Sequence, residues 1–181
     1  VMAVQGKATV KTVKEFMPNL DVIVIPSFRS QHVWGYDYKI SGDNITIIVT
    51  LPISIRTSIK IIEKLLKVNS SMSLSDKKIK YIIKPHPTHS SDRIKVKVED
   101  IAPDSFMVAE EKSLTVLLRK ADILVSEASS TCLEALACGK PVIIVENEEG
   151  LTYDPIPAIV PLEIVRRAKS DKQLTDGINH F

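Results

Sequence analysis

Much of what would announce a chemistry is absent from these 181 residues. Cysteine is scarce: only Cys132 and Cys138, six positions apart in one apolar stretch. That spacing suits neither a zinc ligand pair nor a short disulfide, so both read as reduced, buried thiols of a cytosolic chain. HExxH and CxxC are missing, so no metal site is expected. GxGxxG, GxxxxGK[ST] and GxSxG are missing too, which removes the standard dinucleotide, P-loop and serine-hydrolase readings. No apolar run approaches the roughly 20 residues that cross a bilayer. Lys7, Lys11 and Lys14 interrupt the start where a signal peptide would be apolar. Membrane contact is expected to be peripheral, possible only at the inner face. A net charge of +2 is too small to imply nucleic acid.

What is present is a core and a rhythm. Hydrophobic residues make up 44% of the chain, enough for one domain or slightly more. Residues 60–98 hold ten Lys/Arg against three acids, and residues 99–163 hold thirteen acids against four Lys/Arg, so one flank is basic and one acidic. The runs 21–25, 45–51, 80–84, 105–109, 122–126 and 141–145 are β-branched and apolar, as strands of a covered parallel sheet are. Helical periods separate them at 58–68, 113–121 and 131–138, the last closed by Gly139. This order predicts an α/β fold with a doubly wound parallel sheet. Residues 1–19 read as a helix closed by Pro18, and 26–44 as an irregular connector holding Phe28, Trp34, Tyr36 and Tyr38. Two helices are expected at the end, one from about Pro161 and one opened by a capping box at Ser170–Gln173.

Ligands of open parallel sheets bind at the carboxyl ends of the strands, and three loops there are chemically unusual. The first is "KPHPTH", where two prolines fix the backbone around His86, held behind Lys84 at the strand end. An imidazole there is suited to donate to a phosphate oxygen; His89 is a weaker candidate. The second is "SEASSTCLE". Ser129, Ser130 and Thr131 are either a phosphate seat at a helix start or a helix cap, since Thr131 and Glu134 also spell a capping box. Glu134, one turn inside, is within reach of a ribose. The third is "TLPISIRTS", where Arg56 and Thr57 approach from the side and Ser58 suits an N-cap. Val108 lies between the better sites, with backbone suited to a base edge.

The run "ADILVSEASSTCLEALACGKPVIIVEN" resembles the donor-nucleotide half of GT-B glycosyltransferases. "KPHP" resembles the HP motif of their bacterial surface-carbohydrate branch, which includes capsule, Kdo and sialic-acid transferases and CDP-glycerol polymerases. The resemblance covers residues 45–181 and implies a Rossmann-like nucleotide-sugar-binding half-domain, with residues 1–44 as the end of a preceding domain or a linker. It implies that His86, Ser129, Ser130 and Thr131 contact donor phosphate, that Glu134 holds the ribose, and that Glu127 faces the sugar or phosphate edge. The partners implied are a UDP-, CDP- or CMP-linked sugar and an N-terminal acceptor domain that this chain lacks. No cofactor is implied. Glu127 and Glu134 have six residues between them where many retaining members have seven, so retaining chemistry does not carry over. A UDP-sugar 2-epimerase, a CDP-glycerol glycerophosphotransferase and a non-catalytic binding domain are the competing readings.

Overall fold

The computed structural model describes residues 1–26, 31, 33, 44–72, 78–89, 92, 94–95, 98, 104–111, 113–127, 129–147, 154–157 and 159–181. Phe28, Trp34, Tyr36, Tyr38 and Ala128 lie outside these residues, as does most of the expected connector at 26–44.

Six strands form one all-parallel sheet: β3 (Asn44–Thr50), β4 (Lys78–Lys84), β5 (Phe106–Val108), β6 (Ile123–Ser126), β7 (Val142–Val145) and β8 (Val165–Ala168). Their order is β5-β4-β3-β6-β7-β8. Counted from β3 this is the Rossmann order, so the chain is an α/β, doubly wound, Rossmann-like half-domain as the apolar runs predict. The order reverses between β3 and β6, which places a topological switch point there.

The apolar runs become strands because both of their faces are covered. Ile47, Val49, Ile83, Val125 and Ile143 belong to one core layer with α2 (Ile55–Met72) and α5 (Asp171–His180). Ile48, Ile82, Leu124, Val142 and Ile144 belong to the other, with α3 (Leu114–Leu118) and α4 (Thr131–Ala137). Every residue of β6 and β7 is buried. Gly139 follows α4 at φ +70°, a left-handed value that favours glycine over any residue with a Cβ.

Three expectations are corrected. The opening segment is not helix throughout: Met2–Gln5 is a strand, β1, before α1 (Lys7–Phe16). Gly6 at φ +76° turns the chain between them. β2 (Val22–Ile25), expected in the main sheet, pairs in parallel with β1 as a separate two-stranded sheet. The helix expected from Pro161 is a single 3-10 turn, Leu162–Ile164, leading into β8. Val165 and Ala168 are buried while Arg166 and Arg167 are half-buried, so this edge strand carries no clean alternation to read. The second terminal helix does form as expected. Ser170 Oγ accepts from the Gln173 amide and the Gln173 side chain accepts from the Ser170 amide, closing the capping box of α5.

Candidate functional site

Register places the site. Thr50, the last residue of β3, has Lys84 of β4 as its partner on one side and Ser126 of β6 on the other. The three end their strands in one row across the switch point. Thr50 donates to Ser126 Oγ at 2.8 Å, and Thr131 Oγ1 lies 3.1 Å from Thr50 Oγ1 and 3.5 Å from Ser126 Oγ. A strand end on each side and the first residue of α4 are thus pinned by three hydroxyls.

This geometry resolves the question of cap against seat for Thr131 in an unexpected way. The capping box between Thr131 and Glu134 does not form. The N-cap is Ser130, with αR backbone and no side-chain cap bond, and Thr131 is the first helical residue. Its hydroxyl turns to the strand seam instead. Ser129 Oγ accepts from the Thr131 amide at 3.3 Å, so Ser129 meets one of the helix's leading N–H groups. Ser130 is exposed, and Glu134 is half-buried in the first turn.

The loop after β4 is organised by its two histidines. His86 Nδ1 accepts from the Thr88 amide at 3.3 Å, and Thr88 Oγ1 lies 2.8 Å away. With Nδ1 used as acceptor, the neutral ring carries its proton on Nε2, which is left as a donor. His89 has a different task. Its Nε2 lies 2.6 Å from the Ile53 carbonyl and its amide donates to the His86 carbonyl, tying this loop to the one after β3. A cleft of about 500 Å³ opens here, lined by Lys84, His86, His89, Val108, Glu110 and Glu111 among others. Burial holds the Lys84 ammonium below its ordinary pKa, while Glu111 acts in the opposite direction.

The loop after β3 is built differently from expectation. Ser58 is not an N-cap: it is fully buried inside α2, and its Oγ donates back to the Ser54 and Pro52 carbonyls. Ser54 takes the capping role, accepting from the Thr57 amide at 3.3 Å. A second, smaller cavity of about 240 Å³ lies between α2 and the ends of β6 and β7. Arg56, Lys60 and Lys64 line it from α2, facing Glu127, Glu146 and Asn147. Burial raises the Glu127 pKa above the ordinary carboxylate value.

The predicted residues therefore fall into three groups. Lys84, His86 and Val108 share the larger cleft, Arg56 and Glu127 share the smaller one, and Ser129, Ser130, Thr131 and Glu134 gather at the start of α4, lining neither of the two. Sequence reasoning missed Lys60, Lys64 and Asn147. The lysines follow Arg56 at helical spacing, and Asn147 lies two residues past the end of β7, so both signals were legible.

Among solved structures of similar fold is that of accessory secretory protein 1, 2 and 3 in Streptococcus pneumoniae. It aligns with a TM-score of 0.66 at 12% identity, over 99% of this chain and 35% of its own. The glycotransferase of kitacinnamycin aligns with a TM-score of 0.54 at 17% identity, over 81% of this chain and 36% of its own. The chain thus spans about a third of the length of these solved structures. No family model matches the chain, and no curated protein matches its sequence. What the chain shares with these structures is the fold. No helix among the described residues is long and apolar enough to cross a membrane.

Proposed function

We propose that this chain is the donor side of a GT-B glycosyltransferase, binding a nucleotide-activated sugar for transfer to a surface polysaccharide or glycolipid acceptor. One observation carries the reading. The switch point of a Rossmann-ordered sheet ends in a row of Lys84, Thr50 and Ser126, with the hydroxyl-rich start of α4 on one side and the His86 cleft on the other. Ligands of such sheets bind at that point.

In this reading the nucleotide lies across the row. His86 Nε2–H donates to a phosphate oxygen, and Ser129 and Ser130 line the same phosphates, with Thr131 as the anchor that holds their turn. Glu134 accepts from the ribose, and the backbone at Val108 meets the base edge. As the bond to the anomeric carbon breaks, charge develops on the departing phosphate, and preorganised donors stabilise it. The arrangement calls for no cofactor. The acceptor side belongs to a further domain, of which the two-stranded sheet of β1 and β2 is an edge, working in the cytoplasm at the inner face of the membrane.

A thermal-shift screen against UDP, CDP, CMP, GDP and their sugar conjugates tests the reading, because a ligand that binds only the folded chain raises its melting point. A selective shift with one nucleotide is expected. His86→Ala should weaken that binding by about 1–3 kcal/mol, the scale of a hydrogen bond to a charged group. Unchanged affinity in that variant, or no shift with any nucleotide at millimolar concentration, overturns the assignment. Conversion of the sugar nucleotide without an acceptor would replace transfer by epimerisation.

A further inference from the structure

We infer that His89 is a positioning residue for nucleotide binding: it clamps the loop after β4 to the loop after β3 and so aims the Nε2–H of His86 at the donor phosphate. The inference rests on the donor reading and adds to that site a task that His86 does not perform alone.

His89 itself is unsuited to the phosphate. Its Nε2 lies 2.6 Å from the Ile53 carbonyl oxygen. A carbonyl only accepts, so Nε2 carries the proton, and Nδ1 of the neutral ring has none to give. His86 is the reverse case. Its Nδ1 accepts from the Thr88 amide at 3.3 Å, and its Nε2 proton is left for a ligand. The two rings thus divide one job: His89 donates to the protein, and His86 to the cleft that both line.

The turn needs that tie. The His89 amide donates to the His86 carbonyl at 2.9 Å and the Thr88 amide to the His86 ring, so the turn is closed upon itself. Both bonds are internal to residues 86–89 and survive a rigid swing of the whole turn about the end of β4. Pro85 and Pro87 stiffen the chain but have no amide N–H to bond elsewhere. Among the described residues, the bond from His89 to Ile53 is the one hydrogen bond that leaves residues 85–89 for another element.

Ile53 is a firm anchor for it. The hydroxyl of Ser58, fully buried in α2, donates to the carbonyls on both sides of Ile53, Pro52 at 3.1 Å and Ser54 at 2.9 Å. The Leu51 amide donates to the Lys84 carbonyl at 3.0 Å, where β3 and β4 end side by side. The loop after β3 is therefore pinned at residues 51, 52 and 54, and the Ile53 carbonyl between them is a fixed acceptor. A donor held in place before the ligand arrives loses less freedom on binding, so the clamp raises affinity without itself donating to the nucleotide.

Two variants of the whole chain test the clamp. His89→Leu keeps much of the bulk of the ring and removes the donor, and His89→Gln places an N–H at the same reach from the backbone. Each is titrated with UDP, CDP, CMP and GDP while the amide chemical shifts of residues 84–89 and 129–134 are followed. His89→Leu is expected to weaken binding of the nucleotide that the wild type takes by about tenfold, and His89→Gln to bind within about threefold of wild type. In a His86→Ala background, His89→Leu should cause no further loss, because it acts through His86; a merely structural role predicts losses that add. Wild-type affinity in His89→Leu, an equal loss in both variants, or additive losses in the double variant overturns the inference. The donor reading fails separately, and takes the inference with it, where none of the four nucleotides moves these amides in the wild type.

Discussion

The chain makes the same strand–helix–parallel strand arrangement at its start and in its centre, with opposite results. In β1–α1–β2 the helix has ten residues and buries none of them, and Ile23 and Val24 are about half exposed. In β6–α4–β7 the helix has only seven residues, yet both strands are fully buried and Cys132 and Ala135 sit in the core. The difference lies in what flanks each pair. β6 and β7 have β3 and β8 as outer neighbours and a helical layer on each face, whereas β1 pairs with β2 alone among the described residues. Two strands bury too little surface to offset the entropy of ordering them.

The sharpest way to break this comparison is to truncate one side chain in each unit. Leu124→Ala, at a fully buried position of β6, should cost about 2–5 kcal/mol. Val24→Ala in β2 should stay within about 1 kcal/mol, because its side chain is already half in water. Urea unfolding midpoints at unchanged slope measure both, and equal losses would refute the contrast.

The two helix starts sharpen it further. Ser170→Ala removes a closed capping box and should cost about 1 kcal/mol. Ser130→Ala removes no cap bond and should fall within about 0.5 kcal/mol. Thermal melts of the two variants, made without ligand, separate them. A large loss at Ser130 would mean that its hydroxyl holds the turn after β6 in its own right.

The smallest expected effect is a pH dependence. The folded-state pKa of Glu127 is raised by burial, so the folded chain binds the proton more tightly than the unfolded one. Stability then falls as pH rises from the ordinary carboxylate value through the raised one, and below that window the group contributes no difference. Glu127→Gln should therefore be more stable than wild type at neutral pH and nearly equal to it at pH values well below the carboxylate range. Melting curves across that interval check the sign. A variant less stable at neutral pH would mean that the Glu127 carboxylate is held charged by the cations of α2.

Most of the sheet was legible because burial on two faces leaves its mark on each strand separately. β3, β4, β6 and β7 are apolar runs long enough to read alone. β1 and β8 were not legible. Met2–Gln5 runs into a stronger helical pattern, and "VRRA" is an edge strand with two half-buried arginines at its centre. The caps divide the same way. The Ser170 box is local and formed as spelled, while the equally good box at Thr131 lost to a tertiary partner, because Thr50 offered the Thr131 hydroxyl a bond across the seam.

The sequence by itself determined which segments are apolar on both faces, where helices start and stop at Ser170 and Gly139, and that His86 is fixed between two prolines at a strand end. These are short-range properties, set by residues a few positions apart. Only the tertiary structure decided the strand order, and with it that Thr50 and Ser126, 76 residues apart, share a hydrogen bond at the switch point. It alone divided the candidate residues among two cavities and the start of α4, and put the cations of α2 in one cavity with Glu127. Such proximities depend on which strands become neighbours, and parallel pairing is settled by the packing of the whole sheet, not by any one strand's sequence.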